Sequence, residues 1–132
     1  MKLSIIIPAH NEEPSIASTI ESALAIDYPK NKLEIYVVEN GDSKDKTYEI
    51  AKKYLKKGVK VVSLKKGGKG NAMNYAINKT KSEIFISMDA DTYADKDVLK
   101  KMLGYFNDPE VMAVAPTMKS KQIDNLSHKI QN

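Results

Sequence analysis

Residues 3–24 of the chain read LSIIIPAHNEEPSIASTIESAL. The run Leu3–Pro8 is apolar and short, which is typical of a buried strand. The polar residues 9–14 that follow it mark a loop. Beyond the loop, apolar residues recur at helical spacing, at Ile16, Ala17, Ile20, Ala23 and Leu24. The stretch therefore predicts a strand, a loop and a helix, in that order.

The same unit recurs along the rest of the chain. Further apolar runs predict strands at Leu33–Glu39, Val59–Leu64, Glu83–Met88 and Val111–Pro116. Helices are predicted between them: one that Ser43 caps and Gly58 ends, one that contains residues 72–77, and one around residues 98–103. Strands that are apolar on both faces and alternate with helices form mostly parallel sheets with helices on both faces. The fold class is therefore predicted to be α/β.

Composition narrows the possible classes of protein. The chain has 132 residues, 42% hydrophobic and 29% charged, as expected of one soluble globular domain. Its 21 basic residues are all lysines, and they are interleaved with 17 acidic residues, so we expect no nucleic-acid partner. The absence of cysteine excludes disulfides, thiolate zinc sites and thiol nucleophiles. The apolar run at the N-terminus is too short for a signal peptide or a membrane span, and we expect a cytoplasmic chain.

Unusual polar residues follow four of the five predicted strands. These clusters are Asn11 with Glu12, Glu39 with Asn40, the glycine-lysine stretch 67–71, and Asp89 with Asp91. In an open parallel sheet, ligands bind at the carboxyl ends of the strands, in the crevice where the strand order reverses. The four clusters are therefore predicted to meet at one site.

The sequence Asp89-Ala90-Asp91 is the sharpest of these signals. Two carboxylates one residue apart on a loop can face one ligand and offer hard oxygen atoms to Mg²⁺ or Mn²⁺. A cation held there would bridge to diphosphate oxygens. The alternative is a turn in which one aspartate caps the following helix.

The other clusters carry weaker signals. The stretch 67–71 lacks the Ser or Thr of a P-loop and the third glycine of a dinucleotide fingerprint, so Lys69 either contacts a phosphate or sugar hydroxyl or is solvated. Glu39 and Asn40 suit the edge of a nucleobase or ribose hydroxyls. Asn11 is equally a candidate helix cap, because Pro14 fits a first helical position.

In this order, the four clusters resemble the donor half of a family 2 glycosyltransferase with the GT-A fold. The matching stretches are SIIIPAHNEE (4–13), VVENG (37–41) with Ser43, Asp45 and Thr47, GKGNAMN (68–74) and MDADT (88–92). They span nearly the whole chain. The resemblance implies a Rossmann-like half that binds a nucleotide-sugar, a UDP-sugar, with Mn²⁺ or Mg²⁺. It extends to processive, membrane-associated polysaccharide synthases.

The resemblance also implies a role for each matching residue. The nucleoside would lie beside Pro8, Ala9 and Glu12, the base at Glu39, and the diphosphate-sugar near Lys69. The full expected site is Pro8, Ala9, Asn11, Glu12, Glu39, Asn40, Lys69, Asp89, Ala90 and Asp91, with Asp89 and Asp91 as metal ligands. The family commonly has Asp where Glu39 stands, and Asp42 resembles an insertion in its Gly-Ser-x-Asp-x-Thr run.

Members of that family transfer the sugar with inversion, while a carboxylate deprotonates the acceptor hydroxyl. This base lies in an acidic motif well beyond Asp-x-Asp, whereas Asp124 is the only acidic residue beyond Glu110 here. The Gln-x-x-Arg-Trp motif of processive members cannot occur, since the chain has neither Arg nor Trp. The catalytic residue therefore stays unknown, and we expect a truncated chain that transfers little sugar to its sugar or lipid acceptor.

Two regions follow from this interpretation. Residues 1–118 are expected to form the donor-binding subdomain, and residues 119–132 a helical segment at the start of an acceptor half. Ile123, Leu126 and Ile130 recur in it at helical spacing, so the segment is expected to be poorly anchored or to pack on a second copy. The full-length parent is expected at the cytoplasmic face of a membrane.

Two other functions compete with the transferase. A nucleotide-sugar-binding or regulatory module would keep the pocket without the chemistry, and the missing base favours it. A sugar-phosphate nucleotidyltransferase would show a glycine-rich basic loop after the first strand, whereas residues 8–14 contain neither glycine nor a basic residue.

Overall fold

The computed structural model describes residues 2–41, 43–65 and 68–105. Within these ranges, strands and helices alternate along the chain as the sequence predicts. The strands are β1 (Leu3–Ala9), β2 (Leu33–Asn40), β3 (Lys60–Leu64) and β4 (Ile84–Ser87). The α-helices are α1 (Ile16–Leu24), α2 (Thr47–Lys52), α3 (Lys69–Lys79) and α4 (Val98–Tyr105), with short 3₁₀ turns at Lys30–Lys32 and Leu55–Lys57.

The four strands form one parallel sheet in the order β3-β2-β1-β4. β1 lies in the interior, paired with β2 along its whole length and with β4 from Leu3 to Ile6. The chain builds the sheet outward from β1 in one direction and then crosses to its other side, so the strand order reverses between β1 and β4. This reversal is the position at which an open α/β sheet binds its ligand.

Side chains of β1 alternate between two apolar cores, one on each face of the sheet. Ile5 and Ile7 pack in the larger core with α1, α2 and α4, and Ile6 packs in the smaller core beneath α3. Each is at most 1% exposed, and full burial of such a side chain contributes about 1.5–3 kcal/mol. A strand apolar on both faces thus reflects helices on both faces, and the predicted α/β architecture is confirmed.

The amino ends of the strands carry a polar network around Glu34. Thr80 donates a hydrogen bond to Glu34 Oε2 at 2.6 Å, Tyr36 donates to the same atom at 3.1 Å, and Lys2 Nζ lies 3.0 Å from Oε1. Burial alone would raise the pKa of Glu34, but hydrogen bonds from Thr80, Lys2 and Tyr36, and the charge of Lys60, outweigh it and lower this pKa to about 2. The carboxylate is therefore ionised wherever the protein is folded at ordinary pH.

One predicted helix start is wrong, and so is one that the sequence left open as an alternative. Neither Asn11 nor Pro14 begins α1, whose cap position is Ser15, and Asn11 instead adopts a left-handed conformation with φ of 50°. Ser43 does not cap α2, which begins at Thr47. In both places the polar side chain bonds a neighbouring loop rather than its own helix. Gly58 does end the α2 region, with φ of 88°.

Several expectations concern parts of the chain outside the described residues. These are the fifth strand at Val111–Pro116, the boundary at residue 118, the helical segment 119–132, and the role of Asp42. Among the helices that the structure describes, none is long and apolar enough to cross a membrane.

Candidate functional site

A cleft of about 320 Å³ opens at the carboxyl ends of β1 and β4, where the strand order reverses. Its walls come from the last residues of β1 and β2 and from the loops that follow β1 and β4. They consist of Pro8, Ala9, His10, Glu12, Asn40, Asp89, Ala90 and Asp91. Seven of these eight residues belong to the predicted site. The strand order thus brings together in space the clusters that follow β1, β2 and β4.

Asp89 and Asp91 reach the cleft from an irregular loop after β4. The backbone N–H of Met88 donates to the carbonyl of Ile6 at 2.9 Å, which holds the loop against β1 where it leaves the strand. Thr92 then closes a turn, since its N–H and its hydroxyl both donate to the carbonyl of Asp89, at 3.1 and 2.7 Å. Neither aspartate caps α4, which begins at Val98, so the alternative of a simple helix cap is wrong.

The loop after β1 is held by hydrogen bonds from the loop after β2. Three consecutive backbone N–H groups of the first loop donate hydrogen bonds to side chains. The N–H of Asn11 donates to Ser43 Oγ at 3.1 Å, that of Glu12 to Thr47 Oγ1 at 2.8 Å, and that of Glu13 to Asp45 Oδ2 at 3.0 Å. In the other direction, the N–H groups of Lys44 and Lys46 donate to the side chains of Asn11 and Glu13 at 2.8 and 3.0 Å. We call these bonds the loop clamp. It explains why Ser, Asp and Thr recur at every second position from 43 to 47.

The cleft is acidic. Burial raises the pKa of Glu12, and the negative charges of Asp91, Asp45 and Asp89 raise it further, against the hydrogen bond that Ser15 donates. A carboxyl whose pKa is raised by neighbouring carboxylates marks a region of negative potential. Such a region attracts a cation.

The remaining predicted residues occupy distinct positions. Asn40 lines the cleft and accepts a hydrogen bond from the N–H of Gly68 at 3.0 Å, which joins β2 to the start of α3. Lys69 is the first residue of that helix. Glu39 is not a wall of the cleft: it is 3% exposed and accepts a 2.6 Å hydrogen bond from Ser63, its partner in the neighbouring strand.

His10 is a wall of the cleft that sequence reasoning missed. Its residue type gives no signal, because His10 has no metal-ligand spacing with the other histidine, His128. The signal that could have found it is its position, since it directly follows β1 at the same edge as the predicted site. Its ring Nε2 lies 3.1 Å from Asn11 Nδ2.

The donor atoms of the cleft fit a divalent cation that shares its coordination with a ligand. The described residues contain no group of three or more metal-ligating side chains. Two aspartates on one loop nevertheless line the cleft, and Mg²⁺ typically binds one or two carboxylates together with substrate phosphates. The site therefore suits a cation that arrives with a phosphorylated ligand.

Comparison with known proteins adds independent evidence. A family model described as glycosyl transferase family 2 matches residues 4–132. The hyaluronan synthase of Streptococcus pyogenes is 30% identical over 128 residues, covering 91% of this chain and 30% of the synthase. The poly(ribitol-phosphate) β-N-acetylglucosaminyltransferase TarS of Staphylococcus aureus is 33% identical over 111 residues, covering 82% of this chain and 19% of TarS. The chain thus spans less than a third of the length of these curated relatives.

Solved structures agree with this family. The crystal structure of S. aureus TarS 1-349 in complex with UDP superposes with a TM-score of 0.72 at 28% identity, over 90% of this chain and 39% of that one. A mannosyltransferase from Pyrobaculum calidifontis, in complex with GDP-Man and Mn²⁺, gives a TM-score of 0.76 at 28% identity, over 83% of this chain and 33% of that one. The neighbours share the GT-A, Rossmann-like fold, which confirms the fold predicted from the resemblance.

Proposed function

Because the chain belongs to glycosyl transferase family 2, we propose that its cleft binds the nucleoside-diphosphate part of a nucleotide-sugar donor, a UDP-sugar, together with Mn²⁺ or Mg²⁺. One observation carries the proposal: Asp89 and Asp91 line the same cleft as the loop after β1, at the reversal of strand order. Solved relatives with UDP, and with GDP-Man and Mn²⁺, support the ligand class.

Six of the eight walls of the cleft have a proposed role. Asp89 and Asp91 hold the cation, and the chemistry that it supplies when bound is neutralisation of the charge on the departing diphosphate. Pro8, Ala9 and Glu12 lie beside the nucleoside. Asn40 fixes the start of α3 through its bond to Gly68, so that Lys69 begins the helix next to the cleft.

Two buried or flanking residues complete the proposed site. Asn11 acts through the loop clamp, because its side chain holds Lys44 N–H while its own N–H is held by Ser43. Glu39 stands at the position where the family contacts the base, directly before the cleft residue Asn40, and we propose the same role for it. Glu39 is 3% exposed, and its carboxylate accepts a hydrogen bond from the hydroxyl of Ser63.

Calorimetry with UDP tests the binding function directly. We expect UDP to bind at least tenfold more tightly with Mn²⁺ than with a chelator, and Asp91→Asn to remove that difference. Asp97→Asn is a matched control, because Asp97 lies at the start of α4, where it pairs with Lys101 at 3.3 Å, and does not line the cleft. Equal UDP affinity with Mn²⁺ and chelator would refute the metal role.

A second candidate function is a module that binds a nucleotide-sugar without transferring it. It rests on the sequence, because Asp124, the only acidic residue beyond Glu110, stands in no context that matches the family's acidic motif. A module that binds a nucleotide-sugar without transferring it would show UDP binding but no hydrolysis of UDP-sugar above background. Turnover of the donor by this chain would favour the transferase.

We also propose a class of acceptor and a cellular location. TarS is named for transfer to poly(ribitol-phosphate), and the streptococcal relative is named for hyaluronan synthesis. These names support a sugar or a sugar-bearing lipid or polymer as acceptor. A cysteine-free sequence suits the reducing cytoplasm, and we propose that location, with the whole protein at the cytoplasmic face of a membrane.

A further inference from the structure

Helix α1 and the cap residue that precedes it carry three hydroxyl groups on the side that faces the loop after β4. They belong to Ser15, Thr19 and Ser22, and their spacing of four and three residues places them on one side of the helix. Thr19 is wholly buried and Ser22 is 3% exposed. Buried hydroxyls at helical spacing need partners outside the helix or on its backbone, because an unpaired buried polar group is costly.

The partners of these hydroxyls are backbone groups of residues 90–94. Ser15 Oγ and Thr19 Oγ1 both donate to the carbonyl of Ala90, at 2.9 and 2.8 Å. Thr19 Oγ1 also lies 2.8 Å from the carbonyl of Thr92. Ser22 Oγ accepts the N–H of Ala94 at 3.0 Å. The loop thus runs along the helix and is bonded to it at every second residue.

The hydrogen bonds from these hydroxyl groups take the place of the backbone hydrogen bonds that a helix or a strand would make. No helix or strand of the described chain includes residues 88–97, so the backbone there must find partners elsewhere. The carbonyl of Ala90 points at α1, and Ala90 itself is 3% exposed. The two residues that flank it are Asp89 and Asp91, and both line the cleft. Fixing the Ala90 carbonyl against the helix therefore fixes the backbone from which both carboxylates project.

We propose that Thr19 is a positioning residue for the cation site, holding the Asp89–Asp91 backbone so that both carboxylates face one cation. This inference rests on the proposed function. Thr19 touches neither nucleotide nor metal and acts through the carbonyls of Ala90 and Thr92. Ser22 extends the same contact by one turn, and Ser15 joins it to the opposite wall, because its hydroxyl also lies 3.2 Å from Glu12 Oε2.

The test compares Thr19→Val, which keeps the shape and removes the hydroxyl, with Thr19→Ser, which keeps the hydroxyl. The affinity of UDP is measured by calorimetry in Mn²⁺ and in chelator, and folding by circular dichroism. We expect Thr19→Val to reduce the Mn²⁺-dependent gain in affinity by about tenfold to a hundredfold. UDP affinity in chelator should change less than about twofold, and Thr19→Ser should retain the gain. Ser18→Ala, on the same helix and outside these contacts, should match the wild type.

The outcomes separate the two proposals. If the wild type gains affinity from Mn²⁺ and Thr19→Val gains as much, the positioning role is wrong while the proposed function stands. If the wild type gains nothing from Mn²⁺, both are wrong. Should Thr19→Val fail to fold, Ser22→Ala decides: a reduced Mn²⁺ gain supports the positioning role, and an unchanged gain overturns it.

Discussion

Removing the Thr47 hydroxyl tests whether the loop clamp holds the nucleotide cleft in shape. Thr47 is wholly buried at the start of α2. Its hydroxyl accepts the N–H of Glu12 at 2.8 Å and donates to the carboxylate of Asp45. Thr47→Val keeps nearly the same volume but leaves the Glu12 N–H without this acceptor. Glu12 is a wall of the cleft, so the change acts on stability and on ligand binding together.

The structure sets the expected magnitudes. Depriving a buried N–H of its partner costs about 1–3 kcal/mol, and the N–H of Glu12 is partly buried. We therefore expect Thr47→Val to lower the free energy of unfolding by about 1–2 kcal/mol. Thr47→Ser keeps the hydroxyl and loses one buried methyl group, which costs about 1 kcal/mol. Loosening the backbone at Glu12 should weaken UDP binding by about 1 kcal/mol, a factor of about five, in the valine variant alone.

The assay is urea denaturation followed by circular dichroism, with UDP affinity measured by calorimetry in Mn²⁺. The serine variant is the control, because it loses packing but retains the bond to Glu12. If Thr47→Val had the same urea midpoint as the wild type and bound UDP as tightly as the wild type, the loop clamp would not stabilise the cleft. Equal losses of UDP affinity in both variants would assign the effect to packing instead.

Two further predictions concern stability alone. Because the Glu34 pKa is lowered to about 2 from an ordinary 4.5, its stabilisation is present above pH 4.5 and lost as pH falls toward 2. Allowing for solvent screening, we expect the free energy of unfolding to fall by about 1–2 kcal/mol between pH 6 and pH 2.5 because of this group. Urea denaturation at the two pH values measures the loss, and Glu34→Gln should lack this contribution. Gly41→Ala should cost about 2 kcal/mol or more in thermal or urea denaturation, because its Cβ would lie 2.5 Å from the Leu64 carbonyl oxygen. Gly104→Ala, whose Cβ meets nothing within 4 Å, should cost nothing, and an equal loss in both would contradict the clash.

The sheet and the edge at which the cleft opens could be predicted because they depend on strong, local signals. Strands buried on both faces are almost entirely apolar, and β1 shows this over residues 3–9, where Ser4 is the one polar residue. Once the strands are known to be parallel, all their carboxyl ends lie at one edge. Asp89 and Asp91 had then to lie near Glu12 and Asn40, and the structure confirms it.

The predictions that were wrong share one cause. Asn11 and Ser43 are good helix caps by residue type, and in the sequence each precedes an apolar periodic stretch. In the structure they bond to each other's loops across about thirty residues of sequence, which local pattern cannot register. Long-range pairing also decides the burial of Glu39, which its position after an apolar run did not indicate. It pairs with Ser63 in the sheet and is buried, and its contact with a base stays a prediction.

The same physical requirement accounts for both the loop clamp and the hydroxyls of α1. A binding edge made of loops leaves backbone N–H and carbonyl groups without the partners that helices and strands provide. Here the N–H groups of residues 11–13 receive side-chain oxygens from the loop after β2, and the carbonyls of Ala90 and Thr92 receive hydroxyls from α1. These small polar side chains satisfy the backbone of the loops, while Asp89 and Asp91 line the cleft. The small hydroxyl residues near a cluster of carboxylates are therefore part of what makes that cluster a site.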